Sequence, residues 1–161
     1  MTIDNQKNLI QIKTHFFIIG FIFISLITAS IMSDYFIENL IDIPRWLYVV
    51  AFMLIFIFIL VYRYFLHYNY IYFDDENNKI IIRYYHLKLF NKNFKSIEIP
   101  KNSFVKFEEK IFFLKQRHDL ILYQKTNKGI AKYPPVSITA LNKVQKKEII
   151  LSLNKTKANA K

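Results

Sequence analysis

The chain has 161 residues, of which 53% are hydrophobic and 17% aromatic, and its formal net charge is +11. It contains no cysteine, which excludes disulfide bonds, thiolate metal sites and a cysteine nucleophile. This length is enough for one soluble domain beside any membrane-embedded part.

The charge is distributed unevenly along the chain. Residues 1–66 carry four basic and four acidic side chains, so their net charge is zero. Subtracting these from the totals of 23 and 12 leaves 19 basic and 8 acidic residues after residue 66. The whole excess of +11 therefore belongs to the C-terminal part, where it favours an anionic partner: acidic lipid, nucleic acid or an acidic protein.

Residues 1–14 are predicted to form a cytoplasmic N-terminal segment. They are mostly polar and carry Lys7 and Lys13, but Leu9, Ile10 and Ile12 interrupt the polarity. This mixture of basic and apolar side chains indicates a short helix that lies at the membrane interface.

Two apolar stretches, at about 15–32 and 46–66, predict a transmembrane hairpin over residues 15–66. The first is uncharged apart from His15, and the second has Arg63 as its only charge. A helix rises about 1.5 Å per residue, so about 20 residues cross a hydrocarbon core of about 30 Å. A signal peptide is the alternative for the first stretch, but the stretch is longer than a usual signal core and no Ala-x-Ala site follows it.

The basic residues that flank these stretches predict the orientation of the hairpin. Lys7 and Lys13 precede the first stretch, and further basic residues follow the second from Lys79 onward. The link at 34–45 has only Arg45. Because Lys and Arg favour the cytoplasmic side, we expect a multi-pass protein of the cell (inner) membrane with both termini in the cytoplasm.

A change from continuous apolarity to short strand-like pieces marks a predicted cytoplasmic β domain over residues 67–155, followed by a polar tail over 156–161. The polar turn at 74–78 joins the first two pieces into a hairpin. Residues 88–94 are predicted to be loop with some strand. The predicted strands are 69–73, 79–85, 95–100, 104–108, 111–115, 120–124 and 130–133, with a turn at 127–129.

One of these strands has a clear alternation. Ile97 and Ile99 are predicted to face the core, while Ser96 and Glu98 face water. Pro100 either ends this strand or marks a sheet edge, because proline cannot donate a hydrogen bond to a neighbouring strand.

The end of the chain predicts a helix that starts after a cap at Ser137 or Thr139 and runs to about residue 154. Its apolar side chains form two stripes, which are Leu141, Val144 and Leu151, and Ile149, Ile150 and Leu153. A helix that lies on a single sheet needs only one stripe. The second stripe is expected to meet the membrane or a partner, or to cover the open end of a barrel.

Six or seven short strands followed by one helix is the element order of a pleckstrin-homology-like (PH-like) fold. The turn at 74–78, the strand end at 97–100 and the segment 133–141 carry this order. On these residues the chain resembles small bacterial two-span membrane proteins with a PH-like (YcxB-like) cytoplasmic domain. The resemblance implies an α+β fold: a two-helix transmembrane hairpin, then a PH-like antiparallel β-barrel or sandwich with a C-terminal helix. It implies no catalytic residue and, for most members, no assigned ligand.

Candidate catalytic and metal-binding residues are few. The four histidines have neither His-x-His nor His-Glu-x-x-His spacing, so a metal site has little support. His118 and Asp119 suggest an oriented base, but no nucleophile elbow accompanies them, and a turn before a strand explains them equally. Glu108 and Glu109 are either paired acids or an exposed and a salt-bridged side chain. The sequence therefore predicts no catalytic residue, cofactor or metal.

The basic residues carry the only positive functional signal. Arg63, which is expected to snorkel to the head groups, and Lys143, Lys146 and Lys147 of the last helix are the predicted lipid-contacting residues. Each Lys or Arg near an anionic surface contributes about 1 kcal/mol. The alternative is a solvated basic surface that only follows the positive-inside rule. Nucleic acid is not a predicted partner, because no nucleic-acid-binding motif is present.

These observations favour a non-enzymatic, membrane-tethered binding or scaffold module. Its expected partners are the lipid bilayer, anionic lipid head groups or a neighbouring membrane protein, and tethering makes weak contacts sufficient. Two alternatives remain open. One is an immunity or accessory subunit of a membrane complex, and the other is a membrane enzyme of unknown reaction that acts through His118, Asp119, Glu108 or Glu109.

Overall fold

The chain is an α+β protein with two long apolar helices, antiparallel sheets and a C-terminal helix. A computed structural model describes residues 1–32, 45–87, 93–112 and 115–159. The other residues fall in the predicted link, in the predicted loop at 88–94, in the predicted strand at 111–115 and in the polar tail, so those predictions lie partly or wholly outside the described residues.

The described residues form two compact units. We call Met1–Ile10 together with Phe65–Lys161 the sheet domain, and Gln11–Tyr64 the helical hairpin. Met1–Ile10 thus group with the C-terminal part of the chain, although the two helices lie between them in the sequence.

Helix α1 (Gln6–Met32) and helix α2 (Arg45–Leu66) contain the two apolar stretches, which confirms that both stretches are helical. Each helix is long and apolar enough to cross a membrane. In the most apolar 18-residue window of each helix, only 6% of the residues are buried inside the protein. A core helix of a soluble protein would bury most of these side chains, so the exposed apolar surface is of the kind that lipid covers.

Two hydroxyl side chains of α1 find their acceptors inside the helix itself. The hydroxyl groups of Thr28 and Ser30 donate hydrogen bonds to the carbonyl oxygens of Ile24 and Leu26, at 2.9 and 2.8 Å. In an apolar environment a hydroxyl group needs such an internal acceptor, because no water is present to replace it. These two residues therefore do not oppose membrane insertion of α1.

The first sheet has four antiparallel strands in the order β1-β2-β3-β4. The strands are β1 (Thr2–Asp4), β2 (Asn69–Asp74), β3 (Lys79–His86) and β4 (Lys95–Pro100). The predicted hairpin between β2 and β3 is confirmed. In β4, Ile97 and Ile99 are buried and Ser96 and Glu98 are exposed, as the alternation predicts. Pro100 ends β4, which is an edge strand of the sheet.

Strand β1 was not identified from the sequence, and it comes from before the helices. Thr2, Ile3 and Asp4 pair with Asp74, Phe73 and Tyr72 of β2. Three residues are too few to show an alternating pattern, and β1 exists only because β2 offers it an open edge. The predicted short helix is therefore wrong for Thr2–Asp4, which form a strand, whereas the residues from Gln6 onward are helical as the first part of α1.

Asn5 fixes the junction between β1 and α1. Its side-chain nitrogen donates to the carbonyl oxygen of Asn69 at 2.9 Å, and its side-chain oxygen accepts from the backbone N–H of Ile71, also at 2.9 Å. Asn5 is completely buried. The side-chain amide of Asn69 in turn lies 2.7 Å from Nδ1 of His86. A buried polar chain therefore ties the start of the protein to β2 and β3.

The second sheet contains β5 (Phe104–Phe112), β6 (Arg117–Thr126), β7 (Gly129–Lys132) and β8 (Val136–Ser137). A short 3-10 helix at Lys101–Ser103 leads into it from β4. The order is β5-β6-β7, and β8 also pairs with β6. Within the described residues the two sheets remain separate, so no closed barrel is seen.

The prediction of two strands at 104–108 and 111–115 was wrong. One strand, β5, runs without a break from Phe104 to Phe112, and Glu109 and Lys110 pair with Leu120 and Asp119 of β6. Both side chains are exposed. Two successive charged residues are typical of a turn, and only the pairing with β6 shows that they belong to a strand. The turn comes later instead, at Lys115, whose φ is +64°. The predicted turn at 127–129 is confirmed, with Gly129 at φ +120°.

The C-terminal helix α3 (Lys143–Asn159) starts later than predicted. Asn142, not Ser137 or Thr139, caps it: Oδ1 of Asn142 accepts from the N–H of Gln145 at 2.8 Å, and Oε1 of Gln145 accepts from the N–H of Asn142 at 3.2 Å. This is a reciprocal capping box. Ser137 lies in β8 instead, where it pairs with Asp119 of β6 while Val136 pairs with Leu120.

One apolar core joins both sheets and α3. Ile149 and Leu153 of α3 are buried in it, so the stripe that contains them covers the sheets. Val144 and Leu151 of the other stripe are 64% and 50% exposed. The sheets contribute most of the remaining core side chains, which are Ile3, Ile71, Phe73, Ile80, Ile82, Tyr84, Ile97, Ile99, Phe104, Leu120, Leu122, Val136 and Ile138.

Candidate functional site

Arg63 lies near the end of α2, within the helical hairpin. Its Nη2 donates to the backbone carbonyl oxygen of Ile12 at 3.0 Å, and its guanidinium carbon lies 5.0 Å from the ring centre of Phe16. Both partners belong to α1, so Arg63 joins the two helices. A charge-assisted hydrogen bond and a cation–π contact hold this side chain in place.

The three predicted lysines lie on α3 in the sheet domain. Lys143 and Lys147 are exposed and lie four positions apart, so they share one face of the helix. Lys146 is half-buried, and burial lowers the pKa of its ammonium group while the nearby Glu109 raises it. Lys146 therefore faces the second sheet rather than joining the exposed pair.

A groove of about 490 Å³ on the second sheet contains a different set of basic residues. Its walls combine apolar side chains with three cations and one carboxylate. We call it the basic groove, and it is lined by Phe65, Lys110, Phe112, Arg117, Asp119, Ile121, Lys132 and Pro135.

Strand geometry explains why these side chains meet. Alternate residues of a strand point to the same face, so Lys110 and Phe112 of β5 share a face. The same rule groups Arg117, Asp119 and Ile121 of β6. The antiparallel register places Lys110 opposite Asp119 and Phe112 opposite Arg117. The floor of the groove therefore consists of every second residue of two neighbouring strands, β5 and β6.

Arg117 and Asp119 form the polar centre of the groove. Nε of Arg117 lies 3.0 and 3.1 Å from the two carboxylate oxygens of Asp119, and Nη2 lies 2.7 Å from Oδ2. Asp119 is only 2% exposed, and Arg117 is its bidentate partner in this buried position. The guanidinium carbon of Arg117 also lies 5.7 Å from the ring centre of Phe112. These contacts hold Arg117 in one orientation.

The charges of the Arg117–Asp119 pair also act on His67. Burial lowers the pKa of His67 below its ordinary value of 6.5, and the charge of Arg117 lowers it further, while Asp119 acts in the opposite direction. Protonation of His67 is disfavoured both by desolvation and by the neighbouring cation. Phe65, which belongs to the sheet domain and is the second-last residue of α2, also lines the groove.

The residues considered for catalysis do not act as one group. His118 and Asp119 are adjacent on β6 and therefore point to opposite faces of the sheet. His118 pairs with Glu109, with Nδ1 2.7 Å from Oε1. Glu108 accepts from Lys106 at 2.6 Å and from the Tyr123 hydroxyl at 2.9 Å.

Each of these acids thus has its own partner. Lys106 and Tyr123 hold the pKa of Glu108 below its usual value, which favours the carboxylate form. Within the described residues, no group of three His, Asp or Glu side chains is placed to hold a metal ion. The arrangement is that of surface ion pairs on a strand.

The basic groove was missed in the sequence for a definite reason. The adjacent charges Glu109 and Lys110 predict two strands in place of β5, and this division hides the alternation that brings Lys110 and Phe112 onto one face. The signal was present as Lys-x-Phe followed by Arg-x-Asp-x-Ile, two alternating patterns joined by a turn. Read as a single hairpin, they place a cation, an aromatic ring and an ion pair side by side.

Comparisons of the chain with protein-family models, with curated proteins and with solved structures found no match.

Proposed function

We propose that this chain is a two-span protein of the cell (inner) membrane that holds a PH-like sheet domain at the cytoplasmic face. The domain acts there as a non-enzymatic binding or scaffold module for anionic lipid or a neighbouring membrane protein. The observation that carries this proposal is the pairing of β1 with β2 across the two apolar helices.

This pairing supports a hairpin topology. Two strands that share backbone hydrogen bonds lie on the same side of a membrane. The chain between Asp4 and Asn69 must therefore cross the membrane an even number of times, and α1 and α2 supply two crossings. The basic residues at the flanks favour the cytoplasm as the side that holds the sheet domain.

Short connections support a role at the membrane surface. Only Asn5 separates β1 from α1, and only His67 and Tyr68 separate α2 from β2. A domain held by two such connections has little freedom to move away from the ends of the helices. Its local concentration at the head groups is high, so weak contacts are enough for binding.

The element order of the sheet domain supports the PH-like assignment. Among the described residues, seven strands, β2 to β8, follow the helices and precede α3. They form two antiparallel sheets around one core that α3 covers. The short strand β1 adds to the first sheet from the other end of the hairpin.

The proposal is tested by the lipids and proteins that remain bound to the full chain. We expect the protein, extracted gently from vesicles of mixed phosphatidylglycerol and phosphatidylcholine, to retain phosphatidylglycerol above its bulk fraction. This enrichment should fall as salt is raised, because screening weakens contacts between exposed charges. Lipid mass spectrometry gives the ratio, and affinity purification from membranes tests for a protein partner. Retained lipid at the bulk ratio, with no membrane protein recovered, would contradict the proposal.

A further inference from the structure

We propose that the basic groove binds the phosphate of an anionic phospholipid, with the apolar part of the lipid against Phe65 and Phe112. This inference rests on the proposed function and gives it a site. None of the four lipid-contacting residues predicted from the sequence lines this groove. Arg63 joins the two apolar helices, and Lys143, Lys146 and Lys147 lie on α3.

The charge of the groove suits an anion. Its lining has three cations, Lys110, Arg117 and Lys132, and one carboxylate, Asp119, which leaves a formal charge of +2. Asp119 is engaged by Nε and Nη2 of Arg117. Lys110 and Lys132 are exposed. A single phosphodiester would meet two lysine ammonium groups and the edge of an oriented guanidinium.

The location of the groove favours a lipid over a soluble phosphate compound. Phe65 is the second-last residue of α2, and it lines the groove with 46% of its surface exposed. Lipid phosphates lie at the level where an apolar span ends, and an acyl chain or glycerol group begins directly beside them. Phe65 and the 47% exposed Phe112 provide apolar surface for that group.

The groove is also organised before any ligand binds. Ile121 is buried beneath it, and the hydrogen-bonded pair of β5 and β6 fixes the spacing between Lys110 and Arg117. Little ordering is needed when the anion enters, which favours binding. Zwitterionic lipid offers the same phosphate but adds a cation that the net positive groove repels, so the site should prefer anionic lipid.

A titration of the full chain in neutral detergent tests this site. The probes are phosphatidylglycerol, phosphatidylcholine and inorganic phosphate, in separate arms. We expect phosphatidylglycerol to bind at least ten-fold more tightly than either of the others. Equal binding of the two lipids would overturn the groove and also the lipid part of the proposed function. Equal binding of inorganic phosphate and phosphatidylglycerol would overturn the assignment of a lipid.

Variants then separate the groove from the rest of the basic surface. We expect Lys110→Gln with Lys132→Gln to weaken phosphatidylglycerol binding about 10- to 30-fold, since each lysine near an anion contributes about a five-fold effect. The matched control is Lys125→Gln with Lys128→Gln. It removes two exposed charges from the β6–β7 hairpin, which also contains Lys132, and it should leave binding unchanged because neither residue lines the groove. If Lys143→Gln with Lys147→Gln abolishes binding while the groove variant does not, the groove is wrong and the proposed function stands.

A second measurement uses the unmodified protein. Burial is the first cause of the lowered pKa of His67, and the charge of Arg117 is the second. A phosphate beside Arg117 should raise this pKa, because it offsets the second cause. Proton NMR of the His67 ring as a function of pH, with and without phosphatidylglycerol, gives both midpoints. A midpoint that does not move when the lipid is bound would place the lipid elsewhere.

Discussion

Replacing Asn5 with leucine is expected to lower the free energy of unfolding of the sheet domain by about 2–6 kcal/mol. Leucine has a similar size but cannot form the two hydrogen bonds of Asn5, to the carbonyl oxygen of Asn69 and the N–H of Ile71. Both backbone groups would remain buried without a partner, and each such group costs about 1–3 kcal/mol. Denaturant unfolding of the full chain in detergent micelles, followed through the sheet signal, measures the loss.

Thr2→Val is the matched control for this prediction. Thr2 lies in the same strand, but its side chain is exposed and donates only to Glu76, which is also exposed. Surface substitutions of this kind usually change stability by less than about 0.5 kcal/mol. If Asn5→Leu is no more destabilising than Thr2→Val, then β1 is not an integral strand of the sheet domain.

Replacing Ile57 with aspartate is expected to prevent α2 from entering the membrane in most molecules. Ile57 lies near the middle of α2 and is half exposed. An aspartate at the centre of a span disfavours insertion by about 2.5–3.5 kcal/mol, and leaving behind an apolar residue adds a few tenths more. The ratio of inserted to non-inserted helix should therefore fall about 100- to 1,000-fold. A translocon insertion assay on the full chain measures this ratio.

Ile57→Leu keeps the side chain apolar and should insert as well as the parent protein. An aspartate variant that inserts equally well would mean that α2 does not have lipid around Ile57. Only 6% of the residues in the most apolar window of each helix are buried inside the protein. Something other than lipid would then have to cover this exposed apolar surface.

The parts of the fold that were predictable are those whose signal is local. Continuous apolarity marked both helices, and the alternation around Ile97 and Ile99 marked β4 and its buried face. The turn that ends in Gly129 was visible because few residues other than glycine adopt its positive φ. In each case a few neighbouring residues determine the outcome.

The parts that were missed depend on distant partners. Strand β1 is stabilised by residues about 70 positions later in the chain, so nothing in its own three residues indicates a strand. Strand β8 has two residues and exists through β6. The cap of α3 was assigned to the wrong residues because Ser137 lies in β8 and the Thr139 hydroxyl accepts from the N–H of His118. The cap is Asn142, which follows both of them.

The candidate site was only partly predictable for the same reason. The sequence shows that the C-terminal part is basic, but it does not show which of the basic residues share a face. The basic groove appears only when the register of β5 and β6 is known, since that register places Lys110 opposite Asp119 and Phe112 opposite Arg117. The sequence also does not show which basic residues are exposed. Lys146 was grouped with Lys143 and Lys147 as lipid-contacting, but it is half-buried against the second sheet.

Single introduced cysteines give the most direct test, because the chain has none of its own. A membrane-impermeant maleimide is added to intact cells that express Thr2→Cys, Glu38→Cys or Lys128→Cys, and again after the cells are made permeable. The account places β1 and the sheet domain on the cytoplasmic side and the link between the two helices outside. It predicts that only Glu38→Cys is labelled in intact cells and that the other two variants react after permeabilisation. Labelling of Thr2→Cys and Lys128→Cys from opposite sides of the membrane would contradict this account.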